Sequence, residues 1–243
     1  MLTNRTGAGL VIIGPGCGRF GSMKANLMEA PDLQQVKRYE AWFSSPFGRR
    51  ADRVEKEILR GLLSDFAECR SLLDVGCGTG HFTDWFADLG LSGVGLDRAP
   101  SMLSFARDRR PDIPFLLGDA TRLPFGEAAF DVVALVTVLE FLDSPEAALQ
   151  EAGRVARHGL LLGVLNSLSP VALWRRVRRA ASYRRARFFS PGQLERLLHT
   201  SLGCRAMNIR WRTGLYPVPW LDRCTALPFG VFVGLSVRFD KGG

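Results

Sequence analysis

The sequence predicts an α/β fold, a doubly wound and mostly parallel sheet with helices on both faces. Three observations carry this reading. Apolar runs of strand length alternate with helical stretches between residues 71 and 166, the pattern of parallel strands joined by crossover helices. Three of those runs close on an acid, at Asp74, Asp97 and Asp119, and in open α/β sheets ligands bind outside the carboxyl ends of the strands. The first run turns at once into a loop with glycine at Gly76, Gly78 and Gly80.

The elements follow in chain order. Leu72 and Leu73 lead into Asp74 as a buried strand, and the three alternate glycines permit positive φ and let a ligand lie against the backbone. Residues 81–90 read as a short helix whose first amides face the same spot, so the unit reads as a nucleotide-type cofactor site. An earlier glycine cluster, Gly14, Gly16 and Gly18, has no acid ahead of it and no helix behind, and reads as turn in a flexible tail. Residues 92–97 form the second strand, with a helix over 101–109; residues 114–119 repeat the apolar-then-acidic pattern. Residues 130–136 are almost wholly apolar, as a strand covered on both faces should be. A helix over 144–156 and a buried strand over 160–165 complete the alternation.

These residues resemble the class I S-adenosylmethionine-dependent methyltransferases, in particular the type 11 group that includes quinone-pathway enzymes. The resemblance rests on LLDVGCGTGHF (72–82), GVGLDRAPSML (93–103), FLLGDATRLPF (115–125), FDVVALVTVLEFL (130–142) and SPEAALQEAGRVARHGLLLGVLN (144–166). It implies a seven-stranded Rossmann-like sheet finished by an antiparallel C-terminal hairpin, and S-adenosyl-L-methionine as cofactor. It implies that Gly76, Cys77, Gly78 and Gly80 pack against the methionine half, with Asp74 holding the amino-acid end directly or through water. Asp97, with Arg98 beside it, resembles the ribose ligand, since a carboxylate accepts from both hydroxyls. Asp119 resembles the acceptor for the adenine amino group, the Ala120 amide faces a ring nitrogen, and Met102 and Leu123 are adenine walls or ordinary core.

A nicotinamide enzyme also places an acid about twenty residues after its glycines. The G-x-G-x-G spacing, the acid two residues ahead, the second acid at Asp119 and the Phe130-Asp131 opening of the fourth strand favour the methyl donor. Methyl transfer from a sulfonium is an in-line displacement in which alignment supplies much of the acceleration, so a general base is optional. Thr137, Glu140 and Phe141 follow the fourth strand, beside where the methyl should project. Many methyltransferases of the resembled group carry histidine where this chain has Phe141, so that base is absent. Glu140 is the weak catalytic candidate, with a buried or helix-capping carboxylate as its plainer reading. His81 reads as a helix-start residue and His158 as part of the turn before the fifth strand.

Outside the core two regions should choose the substrate. Tyr39, Trp42 and Phe43 precede a helix over 50–66 and read as a lid over the cofactor or as packing against the sheet. Residues 167–187 carry Arg175, Arg176, Arg178, Arg179, Arg184, Arg185 and Arg187, with no acid between Glu151 and Glu195. The formal charge is +8, so without those seven it is +1, and the basicity is a local stripe. Interleaved with Trp174, Val177 and Tyr183, the stripe reads as an amphipathic helix that is either a solvated face or a contact for an anionic membrane surface or acidic ligand. Nucleic acid is disfavoured, because no RNA-binding module accompanies it.

Residues 190–200 open with a serine cap and Pro191 and place Leu194, Leu197 and Leu198 on one face, a helix. Residues 205–211 and 230–239 are the strands of the hairpin, joined through the proline-aromatic loop 215–221. The expected organisation is a disordered tail over 1–30, with Met23 or Met28 as alternative starts, and one methyltransferase domain over 31–243. That domain divides into N-terminal helices or lid (31–70), cofactor core (71–166), arginine-rich insert and helix (167–203) and C-terminal strands (204–243). A chain of 243 residues that is 47% hydrophobic builds one α/β core. No uncharged apolar run approaches membrane-spanning length and no secretory leader is legible. Cys17, Cys69, Cys77, Cys204 and Cys224 are odd in number and scattered, which suits reduced thiols in a cytoplasm and argues against disulfides or a metal site. The expectation is a cytoplasmic methyltransferase acting on a small molecule, its target atom and oligomeric state unread. An RNA or protein methyltransferase, or a non-catalytic module keeping the cofactor fold, are the alternatives.

Overall fold

The computed structural model describes residues 33–170, 172–173, 186–205, 208–223 and 226–239. The expected tail over 1–30 and all of the arginine stripe except Arg187 lie outside the described residues, as do Trp174, Cys17 and Cys224.

Helices α1 (Leu33–Phe43) and α2 (Pro46–Leu63) precede β1 (Ser71–Val75). There follow α3 (His81–Asp88), β2 (Ser92–Asp97), α4 (Pro100–Arg109), β3 (Phe115–Leu117), β4 (Phe130–Val136), α5 (Pro145–Val155) and β5 (Ala156–Leu165). The chain ends through α6 (Pro191–Leu202), β6 (Asn208–Gly214) and β7 (Phe232–Arg238). The seven strands form one sheet in the order β3-β2-β1-β4-β5-β7-β6. β1 to β5 are parallel, and β7 lies antiparallel between β5 and β6. The order reverses beside β1, where β2 lies on one side and β4 on the other, the switch point at which open sheets bind ligands.

β4 is buried along its whole length because both its faces are covered. Successive side chains point to opposite faces: Val132, Ala134 and Val136 join the core beneath α1, α2 and α3, while Val133 and Leu135 join that beneath α5 and α6. α2 starts at Pro46 rather than near residue 50. The Ser45 hydroxyl accepts from the Gly48 N–H at 3.0 Å and Pro46 sits in the first turn, a cap that the polar run after it obscured. β5 starts at Ala156, so His158 belongs to a strand and not to a turn. The register slips between Phe130 and Val132, which admits the extra residues, and Arg157 pairs with Asp131 at 2.9 Å. β6 starts three residues later than expected, because residues 203–205 close α6 in a short 3-10 turn.

Candidate active site

A cleft opens at the carboxyl ends of β1, β2 and β4. Its walls are Tyr39, Gly76, Gly78, Leu96, Asp97, Arg98, Ala99, Met102, Gly118, Asp119, Ala120, Thr137, Val138, Phe141 and Leu142. The sequence-derived candidates Gly76, Gly78, Asp97, Arg98, Met102, Asp119, Ala120 and Thr137 therefore share one wall system. Asp74, Cys77 and Gly80 lie beneath or beside it.

Asp97 ends β2 and is pinned by backbone. One carboxylate oxygen accepts from the Gly78 N–H at 2.8 Å and the other from the Ala99 N–H at 2.8 Å. A carboxylate offers roughly four acceptor positions, so two backbone bonds orient the group without exhausting it. Asp119, two residues past β3, accepts from the Thr121 N–H at 2.8 Å and its hydroxyl at 2.9 Å. Those bonds, with the charge of Arg98, hold its carboxyl below the ordinary range and keep it an acceptor at neutral pH.

The glycine loop lies between these acids and α3. Gly76, Gly78 and Gly80 have φ of 73°, 56° and 78°, left-handed values that glycine adopts without steric cost. Asp74 is 2% exposed and accepts from the Thr83 hydroxyl at 2.7 Å, so it braces α3 from below. Cys77 is buried against the core, and burial pushes its thiol pKa well up, with Asp74 and Asp97 adding to the effect. Thr137 leaves β4 at a φ of 53°, a genuine outlier for a β-branched residue, while its N–H donates to Gly163 at 2.6 Å. Backbone strain of this kind concentrates at ligand sites.

The aromatic segment ahead of the core serves as cover and as packing. Tyr39 lines the cleft, whereas Trp42 points into the core. Burial pushes the Tyr39 phenol well above its usual pKa, and nearby Glu40, Glu55, Asp97 and Asp74 reinforce this. α1 is fastened to the glycine loop by Glu40, which accepts from the Thr79 hydroxyl at 2.5 Å and pairs with Arg109 at 2.9 Å. Arg109 also bonds the Thr79 carbonyl at 2.9 Å and pairs with Asp84 at 2.7 Å. His81 stacks on Phe43 with ring centroids 3.8 Å apart and meets Asp52 at 2.6 Å. Of the two readings of this aromatic segment, cover and packing, the structure gives the first to Tyr39 and the second to Trp42.

Glu140 is 1% exposed and accepts from the Leu165 N–H at 2.6 Å. It does not line the cleft, although its neighbour Phe141 does. Leu123 is core, its N–H donating to Glu151 at 2.8 Å. Among the described residues no cluster of His, Cys, Asp and Glu could hold a metal ion, and no helix is long and apolar enough to cross a membrane.

Residues 73–162 match the family model described as a methyltransferase domain. An uncharacterized protein of Mycobacterium tuberculosis is 36% identical over 192 residues, covering 76% of this chain and 63% of its own length. The chain thus spans less than two thirds of that relative. A demethylmenaquinone methyltransferase of Renibacterium salmoninarum is 44% identical over 88 residues, 36% of this chain and 37% of the enzyme. Among solved structures, one of a SAM-dependent methyltransferase from Thermotoga maritima, described as a possible histamine N-methyltransferase, superposes with a TM-score of 0.67. It is 27% identical and covers 84% of this chain and 95% of its own.

Proposed function

We propose that the chain, whose residues 73–162 match a methyltransferase domain, is an S-adenosylmethionine-dependent methyltransferase of the type 11 group that methylates a small molecule by direct in-line displacement. The observation that carries this is the cleft itself, whose lining brings together two carboxylates oriented by their own hydrogen bonds, Asp97 and Asp119, with Gly76, Gly78 and Gly118. Asp97 fits two ribose hydroxyls, Asp119 an exocyclic amino group with the Ala120 amide beside it, and Met102 and Leu96 the faces of a purine. The Gly76 and Cys77 N–H groups are taken by the Leu96 carbonyl, that of Gly80 by the Cys77 carbonyl and that of Gly78 by Asp97. The loop therefore fits the methionine half by close approach of its side-chain-free backbone, and Asp74 acts through Thr83 and α3.

S-adenosylmethionine, when bound, supplies an electrophilic methyl group on a sulfonium. The chain's own work is alignment and exclusion of water. Tyr39, Val138, Phe141 and Leu142 give the mouth an apolar wall, which suits an apolar or aromatic acceptor, and the relative named for demethylmenaquinone supports an acceptor of that size. Glu140 is tied to the Leu165 amide and serves as a brace for β5 rather than as a base. The sheet also argues against a dinucleotide enzyme: strand β7 lies antiparallel between β5 and β6, where a dinucleotide sheet has a parallel sixth strand.

The test is transfer of labelled methyl from the donor to a panel of aromatic hydroxyls, amines and acidic carbons, with RNA and protein fractions alongside. Label in a small acceptor, lost in Asp97→Ala, supports the reading. Label confined to RNA or protein would replace it with a macromolecular methyltransferase. A donor that binds while no acceptor is labelled would favour a non-catalytic module.

A further inference from the structure

The cleft opens at the carboxyl edge of the sheet, and the loops at that edge carry most of the exposed apolar surface. Among the described residues the exposed large hydrophobics are Leu33, Leu117, Leu168, Leu173, Trp220, Leu227 and Phe229. Leu117 ends β3, Leu168 and Leu173 follow β5, and Trp220 follows β6. β7 runs antiparallel with Phe232 opposite Leu165, so Leu227 and Phe229, which lead into it, reach the same edge. Trp220 is 73% exposed, Leu173 62% and Phe229 53%.

These loops are firm at the base. The Asn166 side-chain amide donates to the carbonyls of Pro228 at 2.7 Å and Gly230 at 2.8 Å, which joins the loop after β5 to the loop before β7. The Tyr216 hydroxyl donates to the Leu227 carbonyl at 2.6 Å. Asp222 pairs with Arg50 at 2.8 Å and accepts from the Tyr216 N–H at 2.8 Å, seating the turn that carries Trp220. Glu140 links this rim to the cleft mouth: its carboxylate takes the Leu165 N–H, its carbonyl takes the Arg187 N–H at 2.8 Å, and Phe141 beside it lines the cleft.

Single exposed apolar residues are ordinary, but a set gathered on one edge marks a partner or a membrane. Charge decides between them. The described chain leaves this rim at Leu173 and rejoins it at Arg187, whose N–H donates to the Glu140 carbonyl, and the sequence between Leu173 and Phe188 holds seven arginines and no acid. Arginines beside tryptophan, phenylalanine and leucine are the composition that anionic lipid surfaces attract.

We propose that this edge seats on an anionic lipid bilayer, with Leu168, Trp220, Leu227 and Phe229 entering the interface. The cleft then opens toward lipid and takes a lipophilic acceptor from it. The acceptor clause rests on the methyltransferase reading, whereas the docking does not.

The experiment is sedimentation of the full chain with vesicles of phosphatidylcholine alone or mixed with phosphatidylglycerol, with donor calorimetry on the same preparations. Binding to the anionic vesicles only, weakened as salt rises above about 0.1 M, is expected. Trp220 emission shifts blue and is quenched by brominated acyl chains, and that component is missing in Trp220→Phe. The double variant Leu168→Ser/Phe229→Ser loses about tenfold or more in vesicle affinity while its donor binding is unchanged, which shows that it folds. No vesicle binding, or binding that the double variant retains in full without Trp220 quenching, overturns the proposal. Vesicle binding without donor binding would instead sink the methyltransferase reading and leave the docking standing.

Discussion

The backbone N–H of Gly78 donates to the Asp97 carboxylate at 2.8 Å, joining the loop after β1 to the end of β2 across the floor of the cleft. One acid thus both shapes the glycine loop and faces the ligand space. Asp97→Ala should weaken donor binding by about 100-fold, the loss of hydrogen bonds to a charged acceptor. It should also destabilise the fold by about 1–3 kcal/mol, because the Gly78 and Ala99 amides lose their acceptor. Calorimetric titration and thermal melts separate the two effects, and Asp97→Asn should fall between.

The glycines should rank by surroundings and not by sequence spacing. A Cβ on Gly76 would meet Val138 Cγ2 at 2.4 Å, whereas one on Gly78 meets nothing nearer than Met102 Cε at 3.9 Å. Both carry the left-handed backbone penalty of about 1 kcal/mol. Gly76→Ala adds an overpacking cost of about 1–3 kcal/mol. Denaturant melts should therefore place Gly76→Ala clearly below Gly78→Ala, and equal stabilities would contradict the packing described.

Glu40 is the fastening of α1. Its replacement by alanine leaves the buried Thr79 hydroxyl without that acceptor and Arg109 with Asp84 and the Thr79 carbonyl. Hydrogen exchange over residues 33–43 should quicken, stability should fall by about 1–2 kcal/mol, and donor binding should weaken because Tyr39 sits beside the released residue. Unchanged exchange in Glu40→Ala would mean that α1 is held by its apolar face alone.

Asp131 predicts the acid limb of stability. Burial pushes its carboxyl up, but the Arg70 and Ser71 N–H groups at 2.9 and 3.0 Å, with Arg157, outweigh this and hold it below the ordinary value. A depressed folded pKa stabilises the fold fully above the unfolded value, about 3.9, and that stabilisation is lost as pH falls through the folded value. Asp131→Asn should lower the melting temperature at neutral pH and flatten part of its decline below about pH 4. The remaining slope belongs to other depressed acids such as Asp52, where burial is outweighed by hydrogen bonds from His81 and Lys56.

The sheet was legible because its parallel strands are short and apolar and the first three runs lead into acids, and β4 has the bounds 130–136 in both sequence and structure. The acids that gather in the cleft, Asp97 and Asp119, were legible for the same reason. What escaped was set by contacts distant in sequence. The choice between cover and packing for the aromatic segment at 39–43 rests on α1, which Glu40 fastens to Thr79 and Arg109, and His158 lies in β5 where the register with β4 shifts between Phe130 and Val132. Asp74 has a local partner that its position near the strand end does not reveal, the Thr83 hydroxyl of α3 at 2.7 Å.

On the proposed function, the cleft beside Asp97 holds S-adenosylmethionine. Calorimetric titration of the full chain with S-adenosylmethionine, and separately with NADH, tests it most directly. Micromolar donor binding, silence with NADH, and loss of the signal in Asp97→Ala are expected. A folded protein that takes NADH and ignores the methyl donor would contradict it.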